Sequence, residues 1–137
     1  MIPASFTTEQ IKEARDFILS HIHENSRIVK TKIQGNPFIT YKELADHFGF
    51  VFDACGDDHR IGVLAGTVSE YEFSHFNLLL SAVVVNSERL NPGKGFYDLA
   101  KGMKMFNSED AINPNGFQEL QFWNDHVFKI VDCYGHK

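Results

Sequence analysis

Ile39-Thr40-Tyr41-Lys42-Glu43-Leu44-Ala45-Asp46-His47-Phe48-Gly49 reads as a complete short helix with its punctuation in place. Thr40 is a natural N-cap, and Glu43, three residues on, can return the capping-box bond. Leu44, Ala45 and Phe48 make an apolar face, and Gly49 fits the left-handed position that closes a helix. After the loop Phe50-Val51-Phe52-Asp53-Ala54-Cys55-Gly56-Asp57-Asp58, a second helix is expected from about His59 to Phe73, with Asp57 or Asp58 as its cap. Ile61, Leu64, Val68 and Tyr71 form its apolar stripe. Gly62 and Gly66 lie on the other side, where they either admit a second backbone or simply weaken the helix, by about 1 kcal/mol each.

Working outward, Thr7 or Thr8 opens an amphipathic helix over 8–24, with Ile11, Ala14, Phe17, Ile18 and Ile22 at helical spacing. Residues 27–33 follow as a short strand or extended connection, closed by a turn at Gly35-Asn36-Pro37. Leu78 to Asn86 is a continuous apolar, β-branched run and predicts a buried strand. Asn91 to Gly95 reads as a turn or short wing, and Phe96 to Met103 as a turn or two of helix. Asn113-Pro114-Asn115-Gly116 introduces a last helix over about 116–132, with Phe117, Leu120, Trp123, Val127, Ile130 and Val131 on its apolar side. The chain of 137 residues, 43% hydrophobic and 23% charged, has the composition of one globular domain spanning 1–137. Composition excludes a coiled coil or a disordered chain, and no run of apolar residues is long enough to cross a membrane. The first residues, Met1 to Gln10, show neither a basic nor an apolar leader region, and Cys55 and Cys133 lack metal or redox spacing. The expectation is a cytoplasmic protein with free thiols.

Two short helices, a strand and a glycine-rich turn are the parts of a winged helix-turn-helix. The expected class is α+β, mostly α, with a winged-helix core over 40–97 and an added C-terminal helix at 113–132. Residues Ile39 to Ala45, Phe48-Gly49, His59-Arg60-Ile61-Gly62, Val83 to Asn86, and Gly93 and Gly95 together resemble the DNA-binding domain of the O6-alkylguanine-DNA alkyltransferases and alkyltransferase-like proteins, over about 10–97. That resemblance implies a DNA-binding fold. The family's acceptor cysteine has no counterpart, because Leu80-Ser81-Ala82-Val83 stands at the matching place, and a serine without a neighbouring base is a poor nucleophile. The run Leu80–Asn86, then Pro92 to Tyr97, then Phe122-Trp123 is similar to small uncharacterised bacterial domains of restriction and phage-defence context, over about 39–131.

The net charge of −5 argues against non-specific wrapping of nucleic acid. The cations are nevertheless segregated. Residues 27–42 carry Arg27, Lys30, Lys32 and Lys42 without an acid, whereas 107–125 carry Glu109, Asp110, Glu119 and Asp125 without a base. These lysines are either ordinary solvated charge or one basic face that meets phosphates. The leading expectation is a non-enzymatic module that binds double-stranded DNA in a bacterial or phage defence setting. Lys30, Lys32, Tyr41, Lys42, Arg60, Thr67 and Lys94 are its candidate contacts, the His59 helix enters the groove and Asn91–Gly95 is the wing. The alternative is an interaction subunit that regulates a protein of a restriction or defence system through Phe50–Phe52 or the C-terminal helix, without touching DNA.

No cofactor is implied: there is no phosphate-cradling glycine motif, and His21 and His23 face different directions on their helix. Asp57-Asp58-His59 has the residue types of a metal nuclease but lacks the preceding strand. An enzymatic site at Ser81, Asn86 and His75 has no triad spacing to support it. Glu70 and Glu72 do not share a helical face and read as solvated charge. Most of the thirteen phenylalanines, Phe17, Phe48, Phe73 and Phe117 among them, are expected in the core, with Phe50, Phe52 and Phe76 as candidates for a pocket or partner surface.

Overall fold

The computed structural model describes residues 6–48, 57–85, 92–106, 112–113 and 116–136, with 57–61 and 93–95 placed by their backbone alone. The first helix, α1 (Thr8–Asn25), starts where the sequence says it should. Thr7 accepts from the Gln10 backbone N–H and the Gln10 side chain reaches back to Thr7, a complete capping box. A two-stranded antiparallel hairpin follows, β1 (Ser26–Val29) and β2 (Lys32–Gly35), in the register Arg27 to Gln34 and Ile28 to Ile33. The short strand or extended connection expected over 27–33 is instead folded back on itself. The chain turns at Lys30-Thr31, where Lys30 takes a φ of 61°, a strained choice for a side chain larger than glycine. Gly35 (φ 93°) instead lets the chain leave the hairpin against α1, and a Cβ there would collide with the Asn25 carbonyl oxygen.

The second helix, α2 (Tyr41–His47), has the reciprocal Thr40 and Glu43 bonds that its sequence announces. It ends at His47, and Gly49 lies outside the described residues. The long helix α3 (Asp57–Phe76) exceeds the expected 59–73 at both ends. α2 ends at His47 and α3 begins at Asp57, with 49–56 outside the described residues. Among the described residues nothing lies within 4 Å of where a Cβ would sit on Gly62 or Gly66, so none of them brings a backbone against these glycines.

The expected strand at Leu78–Asn86 forms only in part. Leu80–Val83 coil into a 3₁₀ turn, and the strand that remains, β4 (Val84–Val85), pairs in parallel with β3 (Ile39–Thr40). Every residue from Leu78 to Val85 is buried, and ahead of β4 the backbone finds partners outside any sheet. The Leu79 N–H donates to His126 Nε2 at 2.8 Å, and the Ser81 N–H to Ser69 Oγ at 2.6 Å. Trp123 Nε1 donates to the Ala82 carbonyl at 2.7 Å. Side chains of two helices thus do the work of strand partners, and an apolar run is compatible with either arrangement.

Gly93–Gly102 is helical (α4), so Gly93, Lys94 and Gly95 form a first helical turn rather than a wing; Asn91 lies outside the described residues. The last helix is α5 (Phe117–Tyr134). Three long helices surround the central segment, burying Ala14, Ile18 and Ile22 of α1, Leu64 and Val68 of α3, and Val127, Ile130 and Val131 of α5. Full burial of such a side chain contributes about 1.5–3 kcal/mol. Phe17, Phe48 and Phe73 are half-buried and pack on this core, whereas Phe117, expected inside, is 81% exposed. The architecture is α+β and mostly helical, and no described helix is long and apolar enough to cross a membrane.

Candidate functional site

The β1–β2 hairpin carries the densest exposed positive charge among the described residues of the basic stretch. Its alternation places Ile28 and Ile33 opposite each other, packed on the core, and turns the other face outward. That outer face holds the cross-strand pairs Arg27–Gln34 and Val29–Lys32, with Lys30 at the tip. Arg27 Nε donates to Gln34 Oε1 at 2.7 Å, which fixes the guanidinium along the ribbon. The base of the hairpin is anchored: the His136 N–H donates to the Ser26 carbonyl at 2.7 Å, the Asn36 N–H to Asn25 at 2.8 Å, and Ser26 Oγ to Ile22 at 2.6 Å. Beside it lies a cleft of about 370 Å³ between β1 and the end of α5, bordered by Arg27, Val29, Asp132 and His136.

Of the sequence-predicted contacts, Lys30 and Lys32 fall together on this ribbon and are exposed. Lys42 is exposed on α2, where it pairs with Asp46 at 3.4 Å, one turn along. Tyr41 has another use: its hydroxyl donates to the Pro92 carbonyl at 2.7 Å, tying α2 to the start of α4, and burial pushes its pKa up to about 12. Thr67 spends its hydroxyl on the Val63 carbonyl one turn back, at 2.8 Å. Arg60 and Lys94 occupy the first turns of α3 and α4, and their side chains lie outside the description.

The residues weighed for catalysis are held in other roles. Ser81 is buried and accepts a hydrogen bond from the Ser69 hydroxyl at 2.7 Å. His75 is exposed near the end of α3, stacked on Tyr71 with ring centroids 4.4 Å apart. Asn86 lies outside the described residues. Among the described residues no group of three or more His, Cys, Asp or Glu is placed to hold a metal ion. Cys133 is a free, exposed thiol, and Cys55 is not described.

Glu72, expected as solvated charge, is fully buried, which corrects the sequence reading. Arg15 Nε of α1 binds its carboxylate at 2.6 Å, and the Tyr134 hydroxyl of α5 donates to its other oxygen. Burial and the Glu72 carboxylate both hold the Tyr134 phenol well above its ordinary range. The Arg15 guanidinium lies over two rings, 5.9 Å from the centroid of Tyr71 and 5.7 Å from that of Phe76. The two partners lie 57 and 62 residues from Glu72 along the chain, so no local spacing signals this network.

Comparison of the chain with protein-family models, with curated proteins and with solved structures finds no match.

Proposed function

We propose that this chain is a nucleic-acid-binding module that meets the phosphates of double-stranded DNA with the outer face of the β1–β2 hairpin. In this reading the hairpin, packed against α1 and α5, does the work of the wing in a winged helix. The observation that carries it is the placement of Arg27, Lys30 and Lys32 on one exposed ribbon, within a stretch from 26 to 42 that contains no acid. A two-stranded ribbon fits the major groove, and a local basic face binds phosphate despite a negative total charge. Tyr41 and Thr67, whose hydroxyls are bonded internally, are set aside as contacts, and Lys42 supplies peripheral charge.

The test is fluorescence anisotropy with short duplex DNA across a range of salt. Three phosphate contacts predict that log affinity falls with log salt at a slope of about −2.7. The double substitution Lys30→Ala, Lys32→Ala should flatten that slope by about 1.8. Duplex binding that ignores salt, or a slope untouched by the substitutions, refutes the assignment.

A second reading, the interaction subunit of a defence or toxin enzyme, draws on the exposed Phe117 at the head of α5. Absence of duplex binding even at low salt selects it.

A further inference from the structure

A groove of about 320 Å³ runs between the first half of α1 and the later half of α3, lined by Thr8, Ile11, Lys12, Arg15 and Tyr71. It is separate from the hairpin and plays no part in the proposed DNA contact. We propose that this groove is a binding site for a small planar acid, an aromatic body carrying a single carboxylate.

The walls and the charge both point to that class. Ile11 and the Tyr71 ring offer apolar surface, and Tyr71 is held in place by His75 stacked on it. Tyr71 and Phe76 are 47% and 52% exposed, an uncommon outlay of aromatic surface next to a cation. Arg15 is fixed before any ligand arrives: Nε is bound to Glu72, and Glu72 is bound in turn by Tyr134, so three helices hold the guanidinium. A guanidinium has five donors in a planar fork that matches a carboxylate, and Nε spends one of them on Glu72. Glu72 already neutralises the charge of Arg15, and Lys12, the other cation lining the groove, makes no ion pair among the described residues. One net positive charge matches a monoanion better than a phosphate dianion. The volume sits at the small end of ligand pockets and suits one ring rather than a nucleotide.

The experiment is an amide chemical-shift titration of the whole ¹⁵N-labelled chain with benzoate, beside acetate, benzyl alcohol and phenyl phosphate. Benzoate should give saturable shifts at Ile11, Lys12, Arg15 and Tyr71 with a Kd on the order of 1 mM. Acetate, which lacks the ring, and benzyl alcohol, which lacks the charge, should bind about tenfold more weakly. Lys12 is exposed on α1, so Lys12→Met keeps the fold and should weaken benzoate by about tenfold, while Lys30→Ala, Lys32→Ala should leave it unchanged. No saturable shift with benzoate, equal binding of benzyl alcohol, tighter binding of phenyl phosphate, or indifference to Lys12→Met each overturns the proposal.

Discussion

His126 should make this protein acid-labile by an amount that the structure fixes. The imidazole is 2% exposed on α5, against the rings of Phe96 and Phe122, and its Nε2 accepts the Leu79 N–H. An acceptor nitrogen carries no proton, so the neutral ring is the one that fits, with its hydrogen on Nδ1. Burial first, and the Lys129 charge second, lower its pKa from 6.5 to about 4. The unfolded chain therefore binds this proton before the folded one does. The stability involved is fully present above pH 6.5, is lost as pH falls towards 4, and changes no further below that. At 1.36 kcal/mol per pH unit, a displacement of this size corresponds to a loss of about 3 kcal/mol across the window, of which roughly 2 should be gone at pH 5. Urea unfolding at a series of pH values measures it. His126→Gln, whose side-chain oxygen can still accept from Leu79 but does not titrate, provides the baseline. The difference between the two proteins should grow towards neutral pH with a slope of about one proton between pH 4 and 6.5. A native imidazole that titrates near 6.5 by NMR, or an identical pH profile for the Gln variant, refutes the reasoning.

Two glycines give opposite expectations. Gly35→Ala forces a side chain into a φ of 93° and against the Asn25 carbonyl, and should cost about 2 kcal/mol or more, read as a lower urea midpoint. Gly62→Ala meets open space on a regular helix and should stabilise by up to about 1 kcal/mol, measured in the same way. A neutral Gly35→Ala or a destabilising Gly62→Ala would contradict the packing described.

What could be read from the sequence was local. The caps at Thr7 and Thr40 are four-residue patterns, and both helices begin where those patterns place them. The apolar stripes of α1, α3 and α5 likewise announce the share of the core that these helices bury, except at Tyr71 and Phe117, which are exposed. Failures came where a distant partner decides. Leu78–Val85 looks like a strand because its residues are apolar and β-branched, but Ser69, Trp123 and His126 offer its backbone other bonds. Glu72 looks like surface charge until Arg15 and Tyr134 are seen to close on it. The hairpin reversal at Lys30-Thr31 carries none of the usual Gly or Asn turn signals, so the stronger turn residues at 35–37 attracted the reading. For the candidate interface, the segregation of charge was legible in the sequence, but its arrangement on one face depends on a strand register that begins with that turn.

The backbone bonding of the central segment also orders events in time. Leu78–Val85 cannot be sealed from water until α5 supplies Trp123 and His126, because before then the Ala82 carbonyl and the Leu79 N–H have no protein partner there. The strand pairing of Ile39 and Thr40 with Val84 and Val85 closes a loop of more than forty residues around the same segment. A growing chain on the ribosome thus carries its most apolar stretch open until α5 has emerged. The late helix is the one that ends this exposure, so a chain stalled before α5 is the form that chaperones and proteases would meet.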